Sequence, residues 1–450
     1  MSSYIRRKTP GDTQWFVNDR FGMFIHFGLY AMPARDEWIK SKELIPEERY
    51  QKYFDHFNPD LFNAKEWAHA AKRAGMKYAV ITTKHHEGFC LFDSKHTDYK
   101  ITNTPFKRDI VREYVDAFRA EGLKIGFYYS LIDGYHPDFR IDRFHPRRND
   151  ADAEQQDKNR DMHKYAQYMR DQVTELLTEY GKIDILWFDF SYTEYMHSDS
   201  PYYKPWMVDN GAKGKEQWEA EKLIATVRAL QPNIIINNRT QLEQDLWTPE
   251  QFQPDAWIRH EKTGELVTWE TCQTFSGTWG YSRDEYSWKS PEMLVNMLVN
   301  SVTYGGNLIM NVGPTSRGYF DHRAVEALAV YEEWMKYNSR SIYGCTMAEP
   351  EFTAPDGCKL TQSEDGKRLY IHLQTYPFKR IIFNNLSAEK IDYAQFLSDG
   401  SEIKFEERQA IGHITNGTGE VMDENIQSVV FNLPTVPPYG LCPVIEVFLK

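Results

Sequence analysis

From residue 61 to residue 312 the chain repeats one unit: a helical pattern, a glycine or proline stop, and an apolar run ending in side chains of catalytic type. Asn63-Ala64-Lys65-Glu66 has the form of a helix cap with Glu at the third position, and the helix it opens ends at Gly75. Met76 to Thr83 is then a near-continuous β-type run, as expected for a strand covered on both faces. The cycle returns as a helix near 110–120 with a strand Leu123–Ser130. It returns again as a long helix near 154–179 with Ile183–Phe190, and as a helix near 215–230 with Asn233–Ile236. A helix near 291–303 precedes Asn307–Val312, and Phe21–Phe27 reads as the first strand. Alternating β and α at this spacing implies a parallel sheet. Four of these strands end in Lys84-His85-His86, Phe127-Tyr128-Tyr129, Trp187-Phe188-Asp189 and Asn237-Asn238-Arg239. A packed strand gains nothing from such endings. In a closed (β/α) barrel, however, all the C-terminal strand ends face one mouth, and the polar groups converge there. No GxGxxG follows a strand and no GxxxxGK[ST] occurs, so nucleotide-binding folds lack their usual signature. The expected fold is α/β: a (β/α)8-like TIM barrel.

After about residue 340 the rhythm changes. Short strand-like runs, among them Leu369–Gln374, Arg380–Phe383 and Ser428–Leu433, lie between turn residues without long helical patterns. They predict a C-terminal antiparallel β-sandwich, giving a catalytic barrel over 1–342 and a sandwich over 343–450. Residues 191–214 are polar and aromatic and predict a long loop over the mouth.

Charge narrows the partners. The formal net charge of −12 argues against nucleic acid and anionic membranes, which both require a basic footprint. No apolar run reaches membrane-spanning length, and the N-terminus has no apolar signal core. The five cysteines are dispersed and form no CxxC pair, which fits reduced thiols and a cytoplasmic location. Aromatic residues make up 15% of the chain, and many lie outside core-like strands. Aromatic faces stack on the apolar faces of sugar rings, although cores and partner interfaces use aromatics too.

Paired carboxylates at a barrel mouth suggest glycoside hydrolysis. Asp189 is the nucleophile candidate, since alternation puts Trp187 and Asp189 on one side of their strand. The bland alternative is a strand-end aspartate opening a turn. Its partner should follow a later strand. Glu250 is preferred because Pro249 restrains the backbone before it, although spacing alone favours a solvated loop glutamate there; Asp255, Glu261 and Glu270 compete. His26, His85 and His86 can bind sugar hydroxyls or serve as buried structural histidines. No metal is expected. A metal needs three or more convergent ligands, no HxxxH or HExxH accompanies the pair, and adjacent strand residues point to opposite sides. Arg239 follows an apolar strand and is expected to enter the mouth.

Six motifs then come in a telling order: Phe16–Gly28 (FVNDRFGMFIHFG), Thr83–Phe89 (TKHHEGF), Gly126–Ser130 (GFYYS), Trp187–Asp189 (WFD), Trp269–Tyr281 (WETCQTFSGTWGY) and Gly305–Pro314 (GGNLIMNVGP). Together they resemble the α-L-fucosidases of glycoside hydrolase family 29 over about residues 14–320. The resemblance implies a retaining exo-α-L-fucosidase that uses no cofactor and no metal. Its substrate would be a fucosylated oligosaccharide or glycoside. It implies Asp189 as nucleophile and, from Thr248-Pro249-Glu250-Gln251, Glu250 as acid/base. The family's hydroxyl-binding histidines map onto His26, His85 and His86, its Glu-Trp pair onto Glu37 and Trp38, its substrate-site tyrosine onto Tyr128 (with Tyr129 as alternative) and its arginine onto Arg239. Trp279 would line the pocket near the sugar methyl, beside Trp187. Resemblance and accessory domain together lead us to expect a homo-oligomer. The chain departs from the common pattern at His26-Phe27-Gly28, at Asn237-Asn238-Arg239 and in the length of 191–214. A fucose-binding barrel without turnover and a metal hydrolase using His85 and His86 are the competing readings.

Overall fold

A computed structural model describes residues 4–193, 197–408, 427–438 and 440–450. Its centre is a seven-stranded parallel sheet: β1 Phe21–Ile25, β2 Tyr78–Lys84, β3 Lys124–Ser130, β4 Ile185–Asp189, β5 Ile235–Ile236, β6 Glu270–Thr274 and β7 Asn307–Val312. The spatial order is β5-β4-β3-β2-β1-β7-β6. The sheet curls until β5 and β6 face each other across one irregular segment. Asn237 pairs with Leu246, and Trp247 and Glu250 pair with Trp269 and Cys272, all parallel. This segment spans the gap of the barrel. It has no regular strand because Pro249 carries no amide hydrogen and breaks the ladder.

Alternation sorts the strand side chains between two cores. Phe24, Tyr78, Val80, Tyr128, Ile185, Trp187, Ile235, Cys272 and Ile309 form an inner cluster. Met23, Ile25, Ala79, Ile81, Phe127, Tyr129, Leu186 and Phe188 belong to an outer cluster shared with the helices. The helices are local solutions of familiar kind. Asn63 accepts the amide hydrogens of Lys65 (3.1 Å) and Glu66 (3.4 Å), capping the helix Ala64–Arg73, which buries Ala64, Trp67, Ala68 and Ala71 at helical spacing. The chain leaves this helix through Gly75 at φ +82°, a conformation that favours glycine.

The structure corrects two sequence expectations and adds one strand. The helix expected over 154–179 is two, Ala153–Asp157 and Met162–Glu179, because Asp161 caps the second by accepting from the His163 amide. The helix expected from 215 begins at Ala220, after Glu219 in a left-handed conformation. Strand β6 went unmarked because Thr271, Gln273 and Thr274 make it look polar, although the whole strand is buried.

Beyond the barrel come β8 Cys345–Met347, β9 Cys358–Ser363, β10 Arg368–Leu373, β11 Arg380–Asn384, β12 Ile391–Phe396, β13 Phe405–Glu407, β14 Ser428–Asn432 and β15 Val444–Leu449. They form two antiparallel sheets, ordered β12-β15-β10-β9-β8 and β11-β14-β13. Leu360, Leu369, Ile371, Ile445 and Val447 of one meet Ile381, Phe383, Val429 and Phe431 of the other in a shared core, which makes the pair a sandwich. Val444, Tyr370 and Leu397 join the barrel's outer cluster, so the two layers share apolar contact.

Candidate active site

The mouth of the barrel holds a pocket of about 360 Å³. Its lining comes from the ends of β1 to β4, from β6 and from three loops: Phe24, His26, Glu37, Trp38, His85, His86, Tyr128, Trp187, Asp189, Phe190, Glu250, Cys272 and Trp279. The floor is fully buried. Trp187 stacks on Tyr128 with ring centres 5.8 Å apart, and Phe24 meets Trp187 edge-on at 5.3 Å.

Asp189 ends β4 and faces inward beside Trp187. Its Oδ2 accepts from the Tyr128 hydroxyl at 2.7 Å and its Oδ1 from Arg239 Nη1 at 3.0 Å. Burial raises its pKa to about 6, with the nearby Glu250 adding to the rise; Arg239 and Tyr128 pull the other way. Tyr129, the alternative to Tyr128, is on the opposite face and donates to Gln172 on the outer helix at 2.7 Å. The pleat alone decides between them.

Arg239 ties the site together. Nη1 also reaches Glu250 Oε2 at 2.8 Å, while Nε donates to Thr248 Oγ1 at 3.0 Å and Nη2 to the Thr248 carbonyl at 3.1 Å. The guanidinium carbon lies 4.7 Å from the centre of the Trp187 ring. The bridging segment 246–251 thus serves twice: it links β5 to β6, and it hangs Glu250 over Asp189. The Asn237 side chain has a structural task, exchanging hydrogen bonds with the Phe188 amide (3.0 Å) and carbonyl (2.8 Å) and extending the pairing of β4 with β5.

The histidines sit just past their strands. His26 Nδ1 is 2.6 Å from Asn311 Oδ1, and burial lowers its pKa to about 3, which keeps the ring neutral. His86 Nδ1 is 2.7 Å from Ser130 Oγ, and Nε2 lies 3.6 Å from Asp189 Oδ2. Burial holds both His85 and His86 well below the usual histidine range. One expectation fails here. Strand β2 stops at Lys84, so the pleat no longer sends His85 and His86 apart; both line the pocket, with rings 4.0 Å apart. Among the described residues no group of three or more His, Cys, Asp or Glu side chains is placed to hold a metal.

Glu37 Oε2 accepts from the amides of Trp279 (3.1 Å) and Gly280 (3.0 Å), and burial lifts its pKa to about 7, with Asp36 adding to the rise. Trp38 lies against His86, ring centres 4.3 Å apart, and Trp279 against His26 at 5.0 Å. Of the four acid/base competitors, Glu250 lines the pocket. Asp255 and Glu261 are exposed, and Glu270 is wholly buried in the barrel interior, where it accepts from the Tyr78 hydroxyl and burial raises its pKa to about 8.

Sequence reasoning missed several supports. Asn311 on β7 bridges His26 to the Trp279 carbonyl, to which it donates at 2.6 Å. Its place near a strand end within GGNLIMNVGP was a usable signal. Phe24 follows from His26 by the two-residue period of β1. Ser130, Cys272, Thr248 and Phe190 carry no local signal and are gathered by the fold.

Two carboxylates and an aromatic-lined pocket at the mouth of a parallel β/α barrel define a glycoside hydrolase. The chain belongs to the α-L-fucosidase family, whose profile matches residues 5–340. Among solved structures it is similar to α-L-fucosidase isoenzyme 1 from Paenibacillus thiaminolyticus, with 41% identity, a TM-score of 0.84, and coverage of 97% of this chain and 98% of that one. It is also similar to an α-L-fucosidase of Bacteroides thetaiotaomicron trapped as a covalent intermediate with 2-fluoro-fucosyl fluoride (27% identity, TM-score 0.79, coverage 100% and 98%). The α-L-fucosidase of Dictyostelium discoideum is 28% identical over 373 residues, 75% of this chain and 72% of the relative.

Proposed function

We propose that this α-L-fucosidase removes terminal α-L-fucose with retention of configuration, Asp189 acting as nucleophile and Glu250 as acid/base. The observation that carries the reading is the shared guanidinium nitrogen, 3.0 Å from Asp189 and 2.8 Å from Glu250. It keeps the facing oxygens less than about 6 Å apart, short of the roughly 6.5–9.5 Å that an inverting enzyme needs to seat a water. In the first step an Asp189 oxygen bonds to the anomeric carbon, the glycosidic C–O bond breaks, and the leaving oxygen takes a proton from the Glu250 carboxyl. In the second, Glu250 takes a proton from water, the water oxygen bonds to the anomeric carbon, and Asp189 leaves as carboxylate. Arg239 and Tyr128 hold Asp189 in place through both steps.

His26, Glu37, Trp38, His85, His86 and Arg239 would bind the sugar hydroxyls. Phe24, Tyr128, Trp187 and Trp279 would cover the apolar side of the ring, methyl included. On this reading the enzyme needs no cofactor. It acts in the cytoplasm, as a homo-oligomer, on a fucosylated oligosaccharide or glycoside, with catalysis in residues 1–342 and an accessory sandwich in 343–450. The covalent intermediate trapped in the Bacteroides relative supports the two-step course.

The test is hydrolysis of 4-nitrophenyl α-L-fucoside by wild type and Asp189→Asn, with the first-formed sugar followed by NMR. The expected result is fucoside-selective turnover releasing α-fucose, lost in the variant. First-formed β-fucose would end the retaining mechanism, and full activity in Asp189→Asn would end the nucleophile assignment.

A further inference from the structure

Phe190, directly after Asp189, has φ +83°, a conformation that is strained for a bulky side chain. Its neighbours are anchored on both sides. Asp189 is fixed in β4; Ser191 donates to the Arg239 carbonyl at 2.6 Å and accepts from Trp218 Nε1 at 2.9 Å; Tyr192 exchanges backbone hydrogen bonds of 2.7 Å with Lys213. Lys213 is anchored in turn on Asp142 at 2.5 Å, which joins the loop after β4 to the loop after β3.

This backbone sends the Phe190 ring into a continuous aromatic wall. It lies 5.2 Å from Trp38, 5.2 Å from His86, 4.9 Å from Phe144 and 5.4 Å from Tyr192, ring centre to ring centre. Burial separates this wall from the pocket floor. Phe24, Tyr128 and Trp187 are sealed, whereas Trp38, Phe144 and Phe190 are partly exposed. A pocket closed at its floor leaves whatever fucose is attached to no exit except past the open rim. Beside the exposed acid/base Glu250, the rim carries the flat faces of Trp38, Phe144 and Phe190, which match the C–H face of a pyranose; the Arg143 guanidinium packs on the Phe144 ring at 4.9 Å and adds a donor there for a hydroxyl.

We propose that Phe190 and its neighbour Phe144, on the side of the wall away from the fucose-binding Trp38 and His86, form the leaving-group site, and that they take the sugar to which fucose is attached by stacking on its apolar face. The proposal rests on the fucosidase reading of the same pocket and deepens it: Phe190, held in a strained backbone by the anchors on either side, becomes a specificity-determining residue.

The experiment compares kcat/KM for two substrates that differ beyond the glycosidic atom. One is α-L-fucosyl fluoride, which has no second ring. The other is whichever fucosyl disaccharide the wild type cleaves fastest. Phe190→Gly suits the positive φ and removes the ring; Phe190→Asn does the same with a residue that tolerates this conformation. We expect the disaccharide-to-fluoride ratio of kcat/KM to fall about tenfold or more in both variants, mainly through KM, and Phe190→Tyr to keep it within about twofold. A ratio unchanged in both ring-less variants overturns the proposal. So does an equal fall on both substrates, which would put the effect on Asp189 instead. A wild type that cleaves neither substrate defeats the fucosidase reading itself, an outcome separate from any change in the ratio.

Discussion

Asp189 illustrates how one carboxyl is tuned by opposed forces. Burial in the aromatic pocket favours its protonated form, and contact with Arg239 and Tyr128 favours the ionised one; burial wins, leaving a pKa of about 6. A nucleophile must be ionised. Activity expressed as kcat/KM should therefore fall tenfold per pH unit as pH drops below about 6, and a plot of its logarithm against pH will show the slope. An acid limb near pH 4 would mean that Arg239 dominates. For Glu250 the check is leaving-group dependence. Glu250→Ala should lose on the order of 10²–10⁴ in rate on poor leaving groups and much less on activated aryl fucosides. Glu261→Ala and Asp255→Ala, on exposed loop positions, should show no such pattern.

At the scale of elements, the site depends on loops being as well determined as strands. Lys213 and Asp142 are both buried, and Asp142 also accepts from Tyr192 and from the amides of Phe144 (2.8 Å) and His145 (3.0 Å). Breaking a buried pair from one side leaves the other charge stranded. Lys213→Met should cost about 3 kcal/mol of stability in thermal unfolding and raise KM for glycosides, because the Phe144 and Phe190 walls lose their common tether. Lys213→Met combined with Asp142→Asn should recover part of the stability. The bridging segment 246–251 works at the same scale, since its pairing with β5 and β6 sets the position of Glu250.

At the scale of the whole molecule, three interior carboxyls join Asp189 in making stability depend on pH. Burial is the leading cause in each case, lifting Glu37 to about 7, Glu87 to about 7 and Glu270 to about 8, from an ordinary value of 4.5. A raised pKa means that the folded state holds the proton more tightly than the unfolded chain. The favourable contribution is complete below about pH 4.5 and is lost as pH climbs through the folded value. Glu270→Gln keeps the shape and cannot ionise. The Tm of the variant relative to wild type should therefore rise between pH 5 and pH 8, followed by calorimetry at both values. A gap that stays constant would show that Glu270 ionises as freely inside the barrel as outside. Size enters as well: the barrel and the sandwich share apolar contacts through Val444, Tyr370 and Leu397, and Arg20, buried at the base of β1, donates to the Cys345 carbonyl at 2.9 Å and the Gly305 carbonyl at 2.8 Å.

What the sequence determined by itself is periodic or local. Two-residue alternation placed Trp187 with Asp189. The cap at Asn63 and the stops at Gly75, Gly122 and Gly181 set the β/α rhythm and with it the parallel sheet, because those signals act over a few residues. The strand endings announced a mouth, and with Tyr128 and Tyr129 the pleat held the answer once a face was known. Contacts across the barrel had no such trace. That Arg239 would lie between Asp189 and Glu250, that Asn311 would join His26 to Trp279, and that Glu270 would be sealed inside with Tyr78 depend on how the sheet curls and where it closes. These pairs lie far apart in sequence, and polar side chains carry no mark of whether they face solvent or a buried partner. The strain at Phe190 is likewise tertiary: a phenylalanine has no preference for positive φ, and only the anchors on both sides of it hold the ring at the rim.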